Sequence, residues 1–400
     1  MMDRAISAFV PYLMKEDPAV AKSFQGFVWY PNTASYNGHT LAGAPPLFGG
    51  YDYTPEEINR RKSESLVSKH NEALCVMPRL FAEAGWSSTV SDASWANYSW
   101  VPDNSIFAKY PGITAFNLEG RYTQRWLTEH GMETDPSIKI SRNMIRFSLF
   151  KIMPMALRNG LYDQGKWWDS KYQSDNYADF IDKYAPLEYL PRLVSYDDKG
   201  NTFTLMVNNT THETVPLDYP GYVPSRSANG DDPSGRFRDR ETWNTYQVNM
   251  AAFRLVSRFF DNLRAHGAYD NTKIVIVSDH GYGLDNPAFS HFSQNARLVP
   301  YFNPLLMVKD FYAAEPLSED RTFRTNADTP AIAASILGKP VNPFTGHPLR
   351  TLAPGETVKI VEKSIYDPSE QHGNTMDFGD KDLIEVKEDI FRESDWSFTR

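Results

Sequence analysis

The feature that most constrains this chain is the stretch Lys273–His291, KIVIVSDHGYGLDNPAFSH. It begins with four β-branched residues, Ile274–Val277, and then becomes polar at once. A short apolar run that ends in polar residues and glycine is typical of a strand buried on both faces, as in a parallel sheet. In open α/β sheets, ligands bind at the carboxyl ends of such strands. The stretch therefore predicts an α/β protein with a binding site just after the strand.

Metal-ligating side chains follow this predicted strand directly. Asp279 and His280 are ligands that suit Zn or Mn, and the carboxylate also suits Mg or Ca. Gly281 and Gly283 allow the backbone to approach a bound group closely. His291 comes eleven residues after His280, so a loop can return it to the same place. An isolated Asp-His pair is otherwise a helix cap beside a packing residue. The combination predicts a divalent-metal site and leaves the metal unspecified.

The strand, SDHG turn, glycine loop and later histidine resemble the alkaline phosphatase and sulfatase superfamily, and in particular its lipoteichoic acid synthase and phosphoethanolamine transferase branch. The resemblance runs from about residue 24 to residue 350. It implies a three-layer α/β/α fold with a mostly parallel central sheet. It also implies that Asp279 and His280 bind the catalytic metal and that His291 contacts the transferred group. An extracytoplasmic location and a membrane-anchored parent protein are further implications of the resemblance.

A turn rich in glycine, proline and hydroxyl residues holds the predicted nucleophile. It follows a short predicted strand at Phe27–Tyr30 and contains Gly38 two residues before Thr40. Such a turn exposes a hydroxyl at a helix N-terminus, where anionic groups are favoured. The family places its threonine nucleophile in a turn of this kind, and Thr40 matches by position and flanking residues. The alternatives are Thr33, Ser35 and Tyr36. Without a role in catalysis, Thr40 would be a helix cap.

His212 is the third histidine predicted for the site. The predicted strand Phe203–Val207 ends in a polar run that contains His212, which repeats the logic of the SDHG strand. This run resembles the family's T-H-x-P segment, whose histidine reaches the charged group of the substrate. The match is loose, because Thr214 and Val215 stand before Pro216.

One part of the family pattern has no counterpart in the sequence. The family's first strand ends in an Asp or Glu that completes the metal site before the nucleophile. The acidic residues that precede Thr40 are Asp3, Glu16 and Asp17, and none follows a β-rich run. We therefore expect that the first strand is missing and that the sheet has a vacant position beside the SDHG strand or beside the strand at Phe203–Val207. We also expect that the metal site lacks the carboxylate which that first strand would supply. A carboxylate from elsewhere, such as Asp52 or Asp92, would contradict this expectation.

Cys75, the single cysteine, raises the question of a formylglycine sulfatase, which matures a residue in C/S-x-P-x-R. Here Pro78 stands one place late, although Arg79 is in register. The run also has the spacing of an amphipathic helix. We predict that Cys75 is a buried packing residue.

Two other segments are candidates for contact with a substrate or a membrane. The loop Asp92–Trp100 carries aromatic residues for a sugar or headgroup wall, or for packing. Residues 131–190 are predicted to be an insertion. Within it, Arg142–Arg158 combines basic and bulky apolar residues and suits a membrane surface. The alternative is an ordinary half-buried helix.

Composition limits the remaining possibilities. The net charge is −9 and there is no basic block, which argues against non-specific nucleic-acid binding. No apolar run reaches the roughly 18 residues of a membrane span, and the chain does not open with a signal-peptide pattern.

We predict a catalytic domain over residues 1–350 and a small β-rich extension of it over residues 351–400.

The predicted function is metal-dependent transfer or hydrolysis at a phosphodiester. A divalent metal on Asp279, His280 and Thr40 activates the Thr40 hydroxyl, with His212 and His291 in catalytic roles. The predicted partner is a lipid-linked or glycan phosphoester, with no nucleic acid and no protein partner. The alternatives are a sulfuric ester hydrolase on the same scaffold and a non-catalytic binding module that lacks the first metal carboxylate.

Overall fold

The computed structural model describes residues 1–132, 144–145, 147–162, 176–196, 200–228, 230–366, 368 and 373–398. The helices are α1 (Val10–Glu16), α2 (Pro18–Ser23), α3 (Thr40–Gly49), α4 (Pro55–Arg60), α5 (Leu66–Glu83), α6 (Thr123–Glu129), α7 (Met155–Tyr162), α8 (Asn176–Leu193), α9 (Arg240–Ala265) and α10 (Thr329–Ala333). The strands are β1 (Phe27–Trp29), β2 (Thr33–Ala34), β3 (Ser87–Ser91), β4 (Ile113–Phe116), β5 (Thr202–Met206), β6 (Ile274–Val277), β7 (Leu306–Lys309), β8 (Ser318–Glu319), β9 (Arg324–Thr325), β10 (Val358–Val361), β11 (Leu383–Val386) and β12 (Trp396–Phe398).

The central sheet consists of two groups of strands. In the first group, β3 pairs in parallel with both β4 and β5. In the second group the order is β6-β7-β1-β8, with β7 antiparallel to β6 and to β1. The strand predicted from the SDHG stretch is β6, and its carboxyl end leads directly into the polar turn.

The first three residues of the chain bridge the two groups of strands. The nitrogen of the first residue donates to the carbonyl of Met206, at the end of β5. On the other side, the amide of Met2 donates to the carbonyl of Val277, at the end of β6, over 2.9 Å. The amide of Asp3 then donates to Asn208. The prediction of a vacant position beside these strands is therefore wrong, because this short segment occupies it.

Helices cover both faces of the sheet. Alternate residues of a strand point to opposite faces. Ile276 and Met307 pack on one face with α9. Val277 and Leu306 pack on the other face with α3 and α5. The chain is therefore a three-layer α/β/α structure, as predicted.

The long helix α9 is defined by its cap and by its apolar face. The side chain of Asp239 accepts a hydrogen bond from the Thr242 amide at 2.7 Å, which satisfies a free donor at the start of the helix. Many side chains of α9 are buried in the core, among them Trp243, Val248 and Phe253. This helix is the main layer on its side of the sheet.

The C-terminal piece is a separate antiparallel sheet of β10, β11 and β12. It is attached next to the turn that leads to Thr40. The side-chain amide of Asn37 donates to the carbonyls of Val361 and Lys363, and the amide of Val361 donates to Tyr36. The predicted β-rich character of the C-terminal piece is thus confirmed, and the piece lies against the turn that leads to Thr40.

The N-terminal helices α1 and α2 are separated at Asp17, whose side chain caps α2 by accepting hydrogen bonds from the amides of Ala19 and Val20. Within the predicted insertion, α8 belongs to the main core, where Phe180 and Ile181 are buried. The basic residues Arg142 and Arg146 lie outside the described residues.

Replacing Gly281 by alanine should destabilise the fold. An added Cβ would lie 2.1 Å from the carbonyl oxygen of Pro300 and 2.8 Å from that of Asn303. Both are backbone atoms, so the turn after β6 must shift, at a cost of about 2–3 kcal/mol. Urea unfolding of Gly281→Ala measures this loss. The control is Gly379→Ala, whose Cβ meets no atom within 4 Å. Equal stability of the two variants would contradict the described packing of the turn.

Candidate metal and nucleophile site

Three buried side chains converge at the carboxyl ends of β5 and β6. They are Asp3, Asp279 and His280, and one ligand atom from each lies within 4.8 Å of the others. Asp3 ends the short segment that joins the two groups of strands, and Asp279 and His280 follow β6. The predicted metal-ligating pair therefore stands beside a second carboxylate.

The prediction that the site lacks a further carboxylate is wrong. Asp3 supplies it, although the first residues of the chain carry no β-rich pattern. The two candidates named as alternatives lie elsewhere. Asp52 is bonded to Asn342 and His347, while Asp92 accepts from the amides of Leu118 and Glu119.

The cluster has the properties of a cation site. Asp3 Oδ1 and Asp279 Oδ2 are buried and have no hydrogen-bond partner among the described residues. Burial, and then the Asp279 carboxylate, raise the pKa of Asp3 above its ordinary value. Two buried acceptors without donors are costly, and a cation between them would satisfy both. The donor set of two carboxylates and one imidazole fits Zn or Mn.

His280 is oriented for ligation by its second ring nitrogen. Its Nδ1 lies 2.6 Å from the carbonyl oxygen of Gly281, so we assign the proton to Nδ1. This leaves Nε2 as the lone-pair atom. Nε2 lies 3.6 Å from Asp279 Oδ2 and 3.5 Å from Thr40 Oγ1.

Thr40 lies at the first position of α3, next to the cluster. Its Oγ1 donates to Asp3 Oδ2 at 3.4 Å. The side-chain amide of Asn326 donates to the carbonyl of Gly43 in α3 at 2.9 Å and to the carbonyl of Asp279 in the SDHG turn at 2.8 Å. These bonds connect α3 to the turn. The structure thus brings Thr40 together with Asp279 and His280, as expected for these residues.

The alternatives to Thr40 make other contacts. The hydroxyl of Thr33 donates to the carbonyl of Tyr30, and that of Ser35 donates to the carbonyl of Asn37. Tyr36 packs edge-on against Tyr51.

His212 lies in a short 3₁₀ turn after β5 and is half-exposed. The hydroxyl of Thr211, in the same turn, donates to the backbone carbonyl of Asp3 at 2.6 Å. His212 Nδ1 is 3.3 Å from Glu213 Oε1, and Glu213 also pairs with Lys183. The positive potential of His212 acts on Asp3, opposing the rise of the Asp3 pKa that burial causes. The structure therefore places His212 at the rim of the cluster.

His291 is placed differently. Its Nε2 lies 2.7 Å from the carbonyl oxygen of Phe391, beside the C-terminal sheet, and its ring packs on Phe292. Within the described part of the chain, its contacts do not include the cluster. The structure does not bring His291 together with the other predicted site residues.

Sequence reasoning missed Arg4, which has two unusual features. Its backbone has a φ of +55°, and its amide donates to Asp279 Oδ1 at 3.2 Å. The guanidinium carbon lies 3.8 Å from the centroid of the Tyr282 ring. Nε is buried without a hydrogen-bond partner, and no described carboxylate forms an ion pair with this side chain. A cation held on an aromatic ring without a counter-ion suits an anionic ligand.

His39 was also missed, although it stands immediately before Thr40. Its ring centroid is 6.1 Å from that of His280, and its Nε2 is 3.0 Å from Ser364 Oγ. Burial, followed by the positive potential of His280, lowers the pKa of His39 to about 4. His39 is therefore neutral near pH 7.

Cys75 is confirmed as a packing residue. It lies in α5 and is buried in the core between that helix and the sheet. Burial raises the pKa of its thiol to about 12, so the thiol is not ionised at neutral pH.

The aromatic loop after β3 remains a candidate wall. Trp95 and Trp100 pack edge-on at 5.5 Å, and Trp100 is exposed. The hydroxyl of Ser94, in the same loop, contacts the sulfur of Met1. The loop therefore lies close to the segment that carries Asp3.

A protein-family model described as Sulfatase matches residues 24–328. The chain belongs to the sulfatase family. The predicted superfamily is thereby confirmed. No curated protein matches the sequence.

Solved structures support the same fold. Phosphonate monoester hydrolase SpPMH from Silicibacter pomeroyi is 14% identical, with a TM-score of 0.50 over 97% of this chain and 84% of that chain. Ps i-CgsB in complex with k-i-k-neocarrahexaose is 12% identical, with a TM-score of 0.52 over 87% and 74%. Lipoteichoic acid synthase LtaP from Listeria monocytogenes is 11% identical, with a TM-score of 0.43 over 92% and 78%. At these identities the likeness concerns the fold alone, and the support for the fold comes from the first two structures, whose TM-scores reach 0.5.

None of the helices in the described ranges is long and apolar enough to cross a membrane.

Asp3→Asn should weaken metal binding strongly. Mutation of a residue that only hydrogen-bonds to a metal ligand lowers metal affinity by up to about 100-fold. Removal of a ligand should lower it at least as much, so we expect a fall in Mn affinity on the order of 100-fold. Isothermal titration with MnCl₂ measures it. Asp52→Asn, a change of the same kind outside the cluster, should bind Mn as the wild type does. Unchanged Mn affinity in Asp3→Asn would show that Asp3 is not a ligand.

Proposed function

We propose that this chain is a metal-dependent phosphodiester hydrolase or transferase that uses Thr40 as its nucleophile. The observation that carries the proposal is the position of Thr40 Oγ1, 3.4 Å from Asp3 Oδ2 and 3.5 Å from His280 Nε2. A hydroxyl at a helix N-terminus, beside a buried set of metal ligands, is the arrangement that such chemistry requires.

A divalent cation held by Asp3, Asp279 and His280 would lower the pKa of the Thr40 hydroxyl and neutralise charge on the transferred group. Thr40 loses its proton to solvent, and Oγ1 then attacks the phosphorus. A bond forms between Oγ1 and phosphorus as the bond to the leaving alcohol breaks. The product of this first step is a phosphothreonine that retains one substituent.

Charged and histidine side chains around Thr40 support the remaining roles. Arg4 has a buried Nε without a partner and can donate to a non-bridging oxygen of the phosphoryl group. His212 has Nδ1 beside Glu213, so its Nε2 can protonate the leaving oxygen. His291 has no catalytic role in this mechanism, because its observed contact is with the carbonyl of Phe391.

In the second step, water or a glycan hydroxyl attacks the same phosphorus and releases Thr40. The proposed substrates are lipid-linked or glycan phosphoesters outside the cytoplasm, and the parent protein is membrane-anchored. Two of the similar structures support this class: one is a phosphonate monoester hydrolase, and the other is in complex with an oligosaccharide.

Sulfate ester hydrolysis is the second candidate, favoured by the description of the family model. Sulfate and phosphate esters present similar tetrahedral anions to a cationic site. A formylglycine route at Cys75 conflicts with the burial of that residue. The reason for considering a non-catalytic binding module was a missing carboxylate, and Asp3 removes that reason.

Thr40→Ala should lower turnover of an aryl phosphodiester by about 10³-fold or more, because it removes the nucleophile. Mn affinity should fall far less than turnover. Thr33→Ala is the matched control, since Thr33 has an internal hydrogen bond to Tyr30. Steady-state assays on an aryl phosphodiester and an aryl sulfate measure both candidate activities.

Full activity of Thr40→Ala would exclude Thr40 as the nucleophile. If the wild type cleaves the aryl sulfate and not the phosphodiester, and Thr40→Ala loses this activity, the function is the second candidate, sulfate ester hydrolysis through Thr40.

A further inference from the structure

A group of large apolar side chains is exposed in one segment of the chain. We call it the apolar surface, and it consists of residues that are between 38 and 82% exposed: Met144, Ile145, Phe147, Leu149, Ile152, Met155, Leu157 and Tyr162. Single exposed apolar residues are ordinary, whereas large exposed groups of them are found at interaction sites. Here eight fall within one stretch of 19 residues. The half-buried helix considered in the sequence analysis does not fit these exposures.

The local structure holds this surface in a defined form. Residues 147–152 are helical, and α7 follows after Pro154. The guanidinium of Arg158 donates to the carbonyls of Met153 and Lys151, at the end of the first of these helices. Within α7, Leu161 is buried, whereas Met155, Leu157 and Tyr162 are exposed.

The charge of the segment differs from that of the whole chain. Between Met144 and Tyr162 the sequence contains Arg146, Lys151 and Arg158 and no Asp or Glu, although the chain carries a net charge of −9. A cationic, apolar segment on an acidic protein complements a surface that is negatively charged and apolar beneath. An anionic lipid bilayer has both properties.

We propose that the apolar surface rests on an anionic bilayer. Ile152 and Met155, the two most exposed of its apolar side chains, enter the boundary between headgroups and acyl chains. Lys151 lies beside the lipid phosphates. This contact is peripheral, and it goes beyond the proposed chemistry at Thr40, because it holds whichever ester the site cleaves.

The experiment is sedimentation of the wild-type protein with vesicles of phosphatidylcholine, with and without phosphatidylglycerol. We expect binding to the anionic vesicles that is at least about tenfold tighter than to neutral vesicles and that weakens at high salt. The double variant Ile152→Glu/Met155→Glu should lose binding by about tenfold or more, because it places acidic groups against anionic lipid.

The matched control is Ile336→Glu/Val341→Glu, which changes two exposed apolar residues elsewhere and should bind as the wild type does. Circular dichroism and urea unfolding show whether each double variant is folded. Light scattering without lipid measures whether the wild-type protein is a dimer, which tests a second copy of the chain as the partner of the apolar surface.

Three results would overturn the proposal. One is wild-type protein that does not sediment with anionic vesicles. Another is equal binding by the Ile152→Glu/Met155→Glu variant. The third is a wild-type dimer, lost in that variant and with no vesicle binding, which would assign the surface to a second copy of the chain.

Discussion

The structure depends on the main-chain hydrogen bonds that the first three residues make between β5 and β6. These bonds, to Met206, Asn208 and Val277, join the two groups of strands at their carboxyl ends. The same bonds fix the position of Asp3. Because the Arg4 amide donates to Asp279, the segment is also tied to the turn after β6. Sheet continuity and site assembly therefore have one cause.

The site concentrates polar groups that the fold does not satisfy. Carboxylate oxygens of Asp3 and Asp279 are buried without donors, and the Arg4 side chain has no described counter-ion. Such groups cost stability, and they persist where a ligand compensates them. The two carboxylates suit a bound cation, and the guanidinium beside them suits a bound anion. A metal ion and a phosphoryl group are such a pair.

Local sequence patterns were sufficient for some elements and not for others. The β-branched run at β6 and the turn after it predicted the positions of Asp279 and His280. Thr40 was predicted from the resemblance of its glycine-rich turn to the family, because the local pattern alone also fitted a helix cap. Asp3 could not be found in this way, because three residues carry no periodicity and their partners lie more than 200 positions away. The spacing of His291 allowed a return to the site, but the loop leads instead to the C-terminal sheet. Exposure of the segment around Ile152 depends on the packing of other helices, which no local pattern contains.

The most direct test of the central claim, that Thr40 is the nucleophile at this cluster, is to trap the covalent intermediate. Acid-quenched single turnover of an aryl phosphodiester, followed by peptide mass spectrometry, would locate it. The account predicts that the peptide containing Thr40 gains the mass of a phosphoryl group that carries the one substituent left after the aryl alcohol departs, transiently and only when metal is present. Turnover with an unmodified Thr40 peptide at every quench time, or an adduct on a different residue, would contradict it.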